Sequence, residues 1–199
     1  MKAFDGWARR MVGMALGGLV LAMSGPAGAE ETAYFGFRLG ETDRDAVMAK
    51  LDEREAAYNA AYGYKGFTEL RKIKVTEYDR FAKYGPLDVA WLAFTPEREL
   101  YKLEITWNDA GKTFKGLKDV LDRKYGTGEA RGWLLEETYR YRDDDVTVTL
   151  NRSTFSPGQD RKTTLTYVYE PATEAVARMK NKIEQSLEAP NPLEAFNDL

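Results

Sequence analysis

Leu103, Ile105 and Trp107 alternate with Lys102, Glu104 and Thr106. A strict period of two with one apolar set folds only as a strand that is dry on one face and wet on the other. The same period returns down the chain. Leu135, Tyr139 and Tyr141 alternate with Glu136, Thr138, Arg140 and Arg142; Val146 to Leu150 interleaves valines with Thr147 and Thr149; Leu165, Tyr167 and Tyr169 oppose Thr164 and Thr166. Leu70 to Tyr78 carries Lys72, Lys74 and Thr76 on its outer face. Half-wet strands joined by short turns predict antiparallel meanders. Asp88 to Phe94 departs from the rule, because Val89, Trp91 and Ala93 alternate with Ala90, Leu92 and Phe94, so both of its faces are apolar. Something apolar must cover its second face. The candidates are a helix of the same chain, the other half of the chain, or another molecule.

Helices separate these runs. Tyr34 to Leu39 predicts a short strand closed by Gly40, after which Thr42, with Asp45 three residues on, predicts a capped helix carrying Val47, Leu51, Tyr58 and Tyr62 on one side and ending at Tyr62-Gly63. A second helix from Thr113 presents Phe114, Leu117, Val120, Leu121 and Tyr125, and Gly126 stops it. A third, Thr173 to Leu187, aligns Val176, Met179, Ile183 and Leu187 before Pro190 and Pro192 break the chain into a tail, 189–199. The expected fold class is α+β: two halves, about 40–107 and 113–170, each a helix plus a three-stranded antiparallel meander, with an extra N-terminal strand and a C-terminal helix. Tyr62-Gly63 matches Tyr125-Gly126, and Leu103-x-Ile105-x-Trp107 matches Leu165-x-Tyr167-x-Tyr169, which reads as an internal repeat.

The first residues predict location. Lys2, Arg9 and Arg10 precede the apolar run Met11 to Met23, and Ala27-Gly28-Ala29 supplies a cleavage site, so 1–29 reads as a signal peptide and 30–188 as one exported, periplasmic domain. Arg9-Arg10 lacks the flanking residues of a twin-arginine signal. No apolar run approaches the ~20 residues of a membrane-spanning helix, and without cysteine there is no lipid anchor, disulfide or thiolate metal site. The absence of histidine removes the Ser-His-Asp triad and imidazole ligation. A net charge of −3, more negative once the basic leader is removed, argues against nucleic acid.

No catalytic, cofactor-binding or metal-ligating set emerges. Asp143-Asp144-Asp145 lacks the later glycine and distant glutamate of an EF-hand loop and reads as a solvated hairpin turn. Ser153, Ser156 and Ser186 sit in neither Gly-x-Ser-x-Gly nor Ser-x-x-Lys. Lys72, Lys74 and Lys102 with Arg140 and Arg142 form either a wet sheet face or a basic face for an anionic ligand. Trp91, Leu92, Phe94 and Trp107 are the candidate partner surface. Tyr64 and Phe67 are candidate ligand-contact aromatics.

Leu39-Gly40-Glu41-Thr42-Asp43-Arg44-Asp45-Ala46-Val47-Met48-Ala49-Lys50-Leu51, within a small exported chain of helices and meanders, resembles the superfamily of BamE-type outer-membrane assembly proteins and β-lactamase inhibitory proteins. The family's Gly-x-Pro after that helix is replaced by Asp52-Glu53-Arg54, and the lipidated cysteine of its outer-membrane members is missing. The resemblance implies a non-catalytic adaptor or inhibitor that engages another envelope protein or itself. A small-ligand or glycan-binding protein, with or without carboxylate-based hydrolysis, is the alternative.

Overall fold

The computed structural model describes residues 32–108, 112–132, 136–153 and 162–188. The leader 1–29, Trp133 to Leu135, Ser156 and the tail from residue 189 lie outside the described residues. In chain order the elements are α1 (Arg44–Asp52), β1 (Ala57–Tyr64), β2 (Phe67–Glu77), α2 (Asp79–Ala82), β3 (Leu87–Phe94), β4 (Leu100–Asn108), α3 (Lys112–Tyr125), β5 (Glu129–Arg131), β6 (Glu136–Asp143), β7 (Val146–Ser153), β8 (Lys162–Tyr169), a 3₁₀ turn (Glu170–Ala172) and α4 (Thr173–Glu188).

All eight strands form one antiparallel sheet in the order β1-β2-β3-β4-β8-β7-β6-β5. This corrects the expected pair of three-stranded halves. Two four-stranded meanders join through their last strands, β4 against β8, with Leu103 opposite Tyr167 and Ile105 opposite Leu165.

The extra strand on the first side is the segment read as the end of the first helix. That helix stops at Asp52, and Glu55 takes a positive φ of 52° in the turn that follows. Tyr58 and Tyr62 then stand in β1. Their spacing of four satisfies a helical period and a period of two equally, and pairing with Val75 and Lys72 of β2 decides between them. Gly63 is no helix cap. It sits beside the Lys65-Gly66 turn, where both central residues have positive φ and an added Cβ on Gly63 would lie 1.9 Å from the Phe67 carbonyl oxygen. On the second side the extra strand is β5, three exposed residues without an apolar pattern.

Tyr34 to Leu39 is a tight turn and no strand. Tyr34 and Phe37 exchange backbone hydrogen bonds across Phe35 and Gly36, both at positive φ. The N-cap of α1 is Asp43, whose carboxylate accepts from the Ala46 N–H at 2.8 Å; the Thr42 hydroxyl instead accepts from the Arg38 N–H.

One face of the sheet is the main core. Leu92, Phe94, Leu103, Ile105, Trp107, Val148, Leu150 and Leu165 project into it, met by Val47 and Leu51 of α1, Phe81 of α2, and Phe114, Leu117 and Leu121 of α3. Trp107 is fully buried and its indole N–H donates to the Phe81 carbonyl at 2.8 Å. Val120, expected in the buried stripe of α3, is 37% exposed, whereas Leu117 is 2% exposed. Leu117→Ala should therefore cost about 2–5 kcal/mol. Val120→Ala should stay within about 0.5 kcal/mol. Urea unfolding of the two variants checks this, and equal costs would mean that the helix is rotated.

The opposite face is mixed: α4 crosses part of it, Trp91, Tyr62 and Val168 lie beside the helix, and the rest is polar. Val176 and Ile183 pack there on Leu70, Ala93 and Tyr101 in a second cluster, so α4 covers the Ala93 end of the apolar second face of β3, while Val89 and Trp91 on that face stay partly exposed. Leu187, expected on that apolar stripe, is exposed. Tyr101 reaches this face through a bulge: Ala93 pairs with Lys102 and Phe94 with Leu100, which leaves Tyr101 as the extra residue. Thr147, expected on the wet face, is buried beneath the Arg140 guanidinium, which donates to its hydroxyl.

Candidate functional site

Beside α4 the second face opens into a cleft of about 450 Å³. The sheet register builds it. Pairing places Tyr62, Lys72, Ala93, Lys102 and Val168 in one row across β1, β2, β3, β4 and β8, and Lys74, Trp91, Glu104 and Thr166 in the next. Tyr64 from the end of β1 and Lys180 from α4 complete the walls.

Aromatic rings form one side. Tyr62 meets Trp91 edge-on with ring centres 5.1 Å apart, and the Lys74 ammonium stands 6.0 Å from the Trp91 ring centre. Tyr64 is held against α4 by its hydroxyl, which donates to Glu184 at 2.7 Å. That bond, together with Lys65 at 3.2 Å, keeps the Glu184 carboxyl below the usual range. Lys180 lies over the Tyr64 ring at 5.3 Å.

The floor is cationic. Lys72, Lys102 and Lys180 arrive from three different elements; the carboxylate that lines the cleft among the described residues, Glu104, is already engaged by Lys102 at 2.7 Å, and Glu184, bound to Tyr64 and Lys65, lies within electrostatic reach of Lys180. Among the described residues Lys72 and Lys180 form no ion pair. Burial, and after it the charges of Lys180 and Lys102, push the Lys72 ammonium below the usual lysine pKa; Glu104 opposes the shift least effectively. Burial also raises the Tyr101 phenol, with Glu104 adding to it, so this hydroxyl remains a donor.

The residues singled out from sequence are divided. Trp91 and Tyr64 both line the cleft. Phe67 does not line it, packing instead on the α4 cluster. Leu92, Phe94 and Trp107 lie on the other face, each at most 1% exposed, so they cannot form one surface with Trp91. The reason is the pleat: Trp91 and Leu92 are neighbours in sequence and point to opposite faces. Of the basic set, Lys72 and Lys102 line the cleft and Lys74 stands beside it, but Arg140 is turned toward Glu170 at 3.6 Å and Arg142 is exposed. Asp144 and Asp145 form the turn between β6 and β7, and Asp143 accepts the Tyr34 hydroxyl at 2.6 Å. The Ser186 hydroxyl donates to the Ile183 carbonyl.

Sequence reasoning missed Tyr62 as a wall, Tyr101 as a donor and Lys180 as the third cation. Tyr62 fits a helical period as well as a strand's, Tyr101 depends on a bulge, and Lys180 reads as an ordinary residue on the polar side of an amphipathic helix. No protein-family model, curated protein or solved structure matches this chain.

Proposed function

We propose that this protein is an exported, non-catalytic binding protein that captures an anionic small molecule, a sugar carrying a phosphate or carboxylate, in the cleft between the sheet and α4. The observation that carries this reading is the meeting of Lys72, Lys102 and Lys180 in one cleft whose lining carboxylate, Glu104, is already paired with Lys102. Like charges held together at a half-buried position oppose folding, and an anion offsets that cost only when bound. Trp91 and Tyr62 beside them supply broad apolar surface of the kind that packs on sugar rings, at little cost in side-chain entropy.

Calorimetric titration with glucose 1-phosphate, inorganic phosphate and glucose tests the reading. The phosphorylated sugar should bind tightest, and Lys72→Met with Lys180→Met should weaken it by about tenfold or more, roughly 1.4 kcal/mol. Equal binding of glucose, or no effect of the double substitution, would overturn it.

The depressed pKa of Lys72 gives this site a pH signature. Anion binding favours the charged ammonium, so affinity should fall as pH rises through that depressed value, before ordinary lysines titrate. In the empty protein the sign is opposite. The unfolded chain binds the proton more readily, so stability should rise with pH between the depressed pKa and 10.5, and Lys72→Met should remove that rise. Thermal unfolding against pH, with and without glucose 1-phosphate, reads both effects.

A specific observation also favours a second reading, docking of another envelope protein. Beyond the cleft the polar face continues over Thr106, Thr164, Thr166, Thr149 and Asn151, all only partly buried. Such a broad polar surface suits the adaptor or inhibitor role implied by the resemblance to BamE-type and β-lactamase inhibitory proteins. Crosslinking in envelope extracts, with Thr149→Arg as the disrupting variant, would support it by losing one specific partner.

A further inference from the structure

On the helical side of the sheet a second cavity, about 370 Å³, lies between the Tyr34–Phe37 turn, α2, α3 and β8. Its walls are rings. Tyr34, Phe35, Tyr84, Tyr125 and Tyr167 surround it, with Val120 and Leu121 closing the α3 side. Three cations, Arg80, Lys83 and Lys124, stand among them, and among the described residues no carboxylate lines the space. Asp143, outside the lining, accepts the Tyr34 hydroxyl at 2.6 Å and forms a long ion pair with the Lys124 ammonium at 3.9 Å. Lys124 is held in place by the rings themselves, 4.7 Å from the Tyr125 centre and 5.5 Å from that of Tyr34, and it donates to the Tyr125 hydroxyl at 2.8 Å.

Tyr167 is the second, independent indication. It is 5% exposed, its ring packs 4.5 Å from Tyr34, and its hydroxyl makes no hydrogen bond among the described residues. The fully buried side-chain polar atoms without a partner among the described residues are Arg44 Nε and Arg152 Nε, so the Tyr167 hydroxyl is not sealed off but opens onto the cavity it lines, where a ligand can reach it. Burial pushes its pKa well up, so the group is protonated and offers a donor. Leu165 on the same face of β8 shows that a purely apolar side chain is accommodated one step along the strand.

We propose that this cavity is a binding site for a small aromatic carboxylate, its ring packed among the tyrosines and its acid group reached by Lys124 and the Tyr167 hydroxyl. The volume lies near the lower end of ligand pockets, roughly 300–1,000 Å³. Flat rings match the aromatic walls, and a carboxylate supplies the acceptor and the negative charge that the lining lacks. The site is separate from the lysine cleft and does not depend on it, since no residue is shared.

Titration of the full chain with 2-naphthoate and with 2-naphthalenemethanol, the same ring system without the charge, tests the proposal. Naphthoate should bind one to one, and the alcohol about tenfold more weakly. Tyr167→Phe and Lys124→Met should each weaken naphthoate several-fold, while Tyr167→Phe leaves the thermal midpoint unchanged or raised, because the hydroxyl has no partner to lose. Val120→Trp, at an exposed position, should block entry in a chain whose circular dichroism is unchanged. The proposal is overturned by equal affinity for acid and alcohol, by naphthoate binding that survives both Tyr167→Phe and Val120→Trp, or by no binding at millimolar naphthoate.

Discussion

Leu92→Asp should give a chain that does not fold. Leu92 is fully buried in the main core, paired with Ile73 of β2 on one side and Leu103 of β4 on the other. Removing the leucine alone costs about 2–5 kcal/mol. A carboxyl there must also stay protonated at neutral pH, and a shift of several units adds about 4–7 kcal/mol. The total consumes the whole of a domain stability of roughly 5–15 kcal/mol. Leu92→Met, which conserves volume, should cost less than about 1.5 kcal/mol. Circular dichroism and urea titration separate the two variants. A folded Leu92→Asp chain that fails only to associate would restore Leu92 to an interface and contradict its burial.

Trp107→Ala should be the most damaging truncation among the strands, about 3–5 kcal/mol. Two losses combine. The indole fills the core next to Tyr84, whose ring meets it edge-on at 6.3 Å, and its N–H satisfies the Phe81 carbonyl at 2.8 Å. Trp107→Phe keeps much of the first contribution and forfeits the second, so it should cost about 1–3 kcal/mol. Equilibrium unfolding in urea measures both. A loss below about 1 kcal/mol for Trp107→Ala would mean that α2 does not close over β4 as described.

What could be read from sequence was whatever a period can express. Leu103-x-Ile105-x-Trp107 and Leu165-x-Tyr167-x-Tyr169 announce strands without help from the rest of the chain. The same pattern says that Trp91 and Leu92 face opposite ways, but both faces of β3 are apolar, so nothing local states which side is core. Tyr58 and Tyr62 fit two periods at once, and Glu129-Ala130-Arg131 fits neither; pairing with a neighbour is what makes strands of them. The lysine cleft was half visible. Lys72 and Lys102 share a wet face by alternation, whereas Lys180 joins them only because a helix from the far end of the chain crosses β2. The tyrosine-lined cavity left no trace, since each of its rings reads as core.

The pairing of β4 with β8 sets the order in which the molecule can be completed. Until Lys162–Tyr169 is in place, β4 and β7 each present a full row of unpaired backbone groups, and both rows flank strongly alternating strands. In the finished sheet the outer edges are poor templates: β1 is interrupted by three register shifts and β5 is only three residues long. A chain cut short before β8 would therefore keep its two blunted edges and add two long, regular ones, β4 and β7. Its fate would be aggregation rather than a stable half-molecule. The integrity of everything upstream is guarded by the last strand to be made.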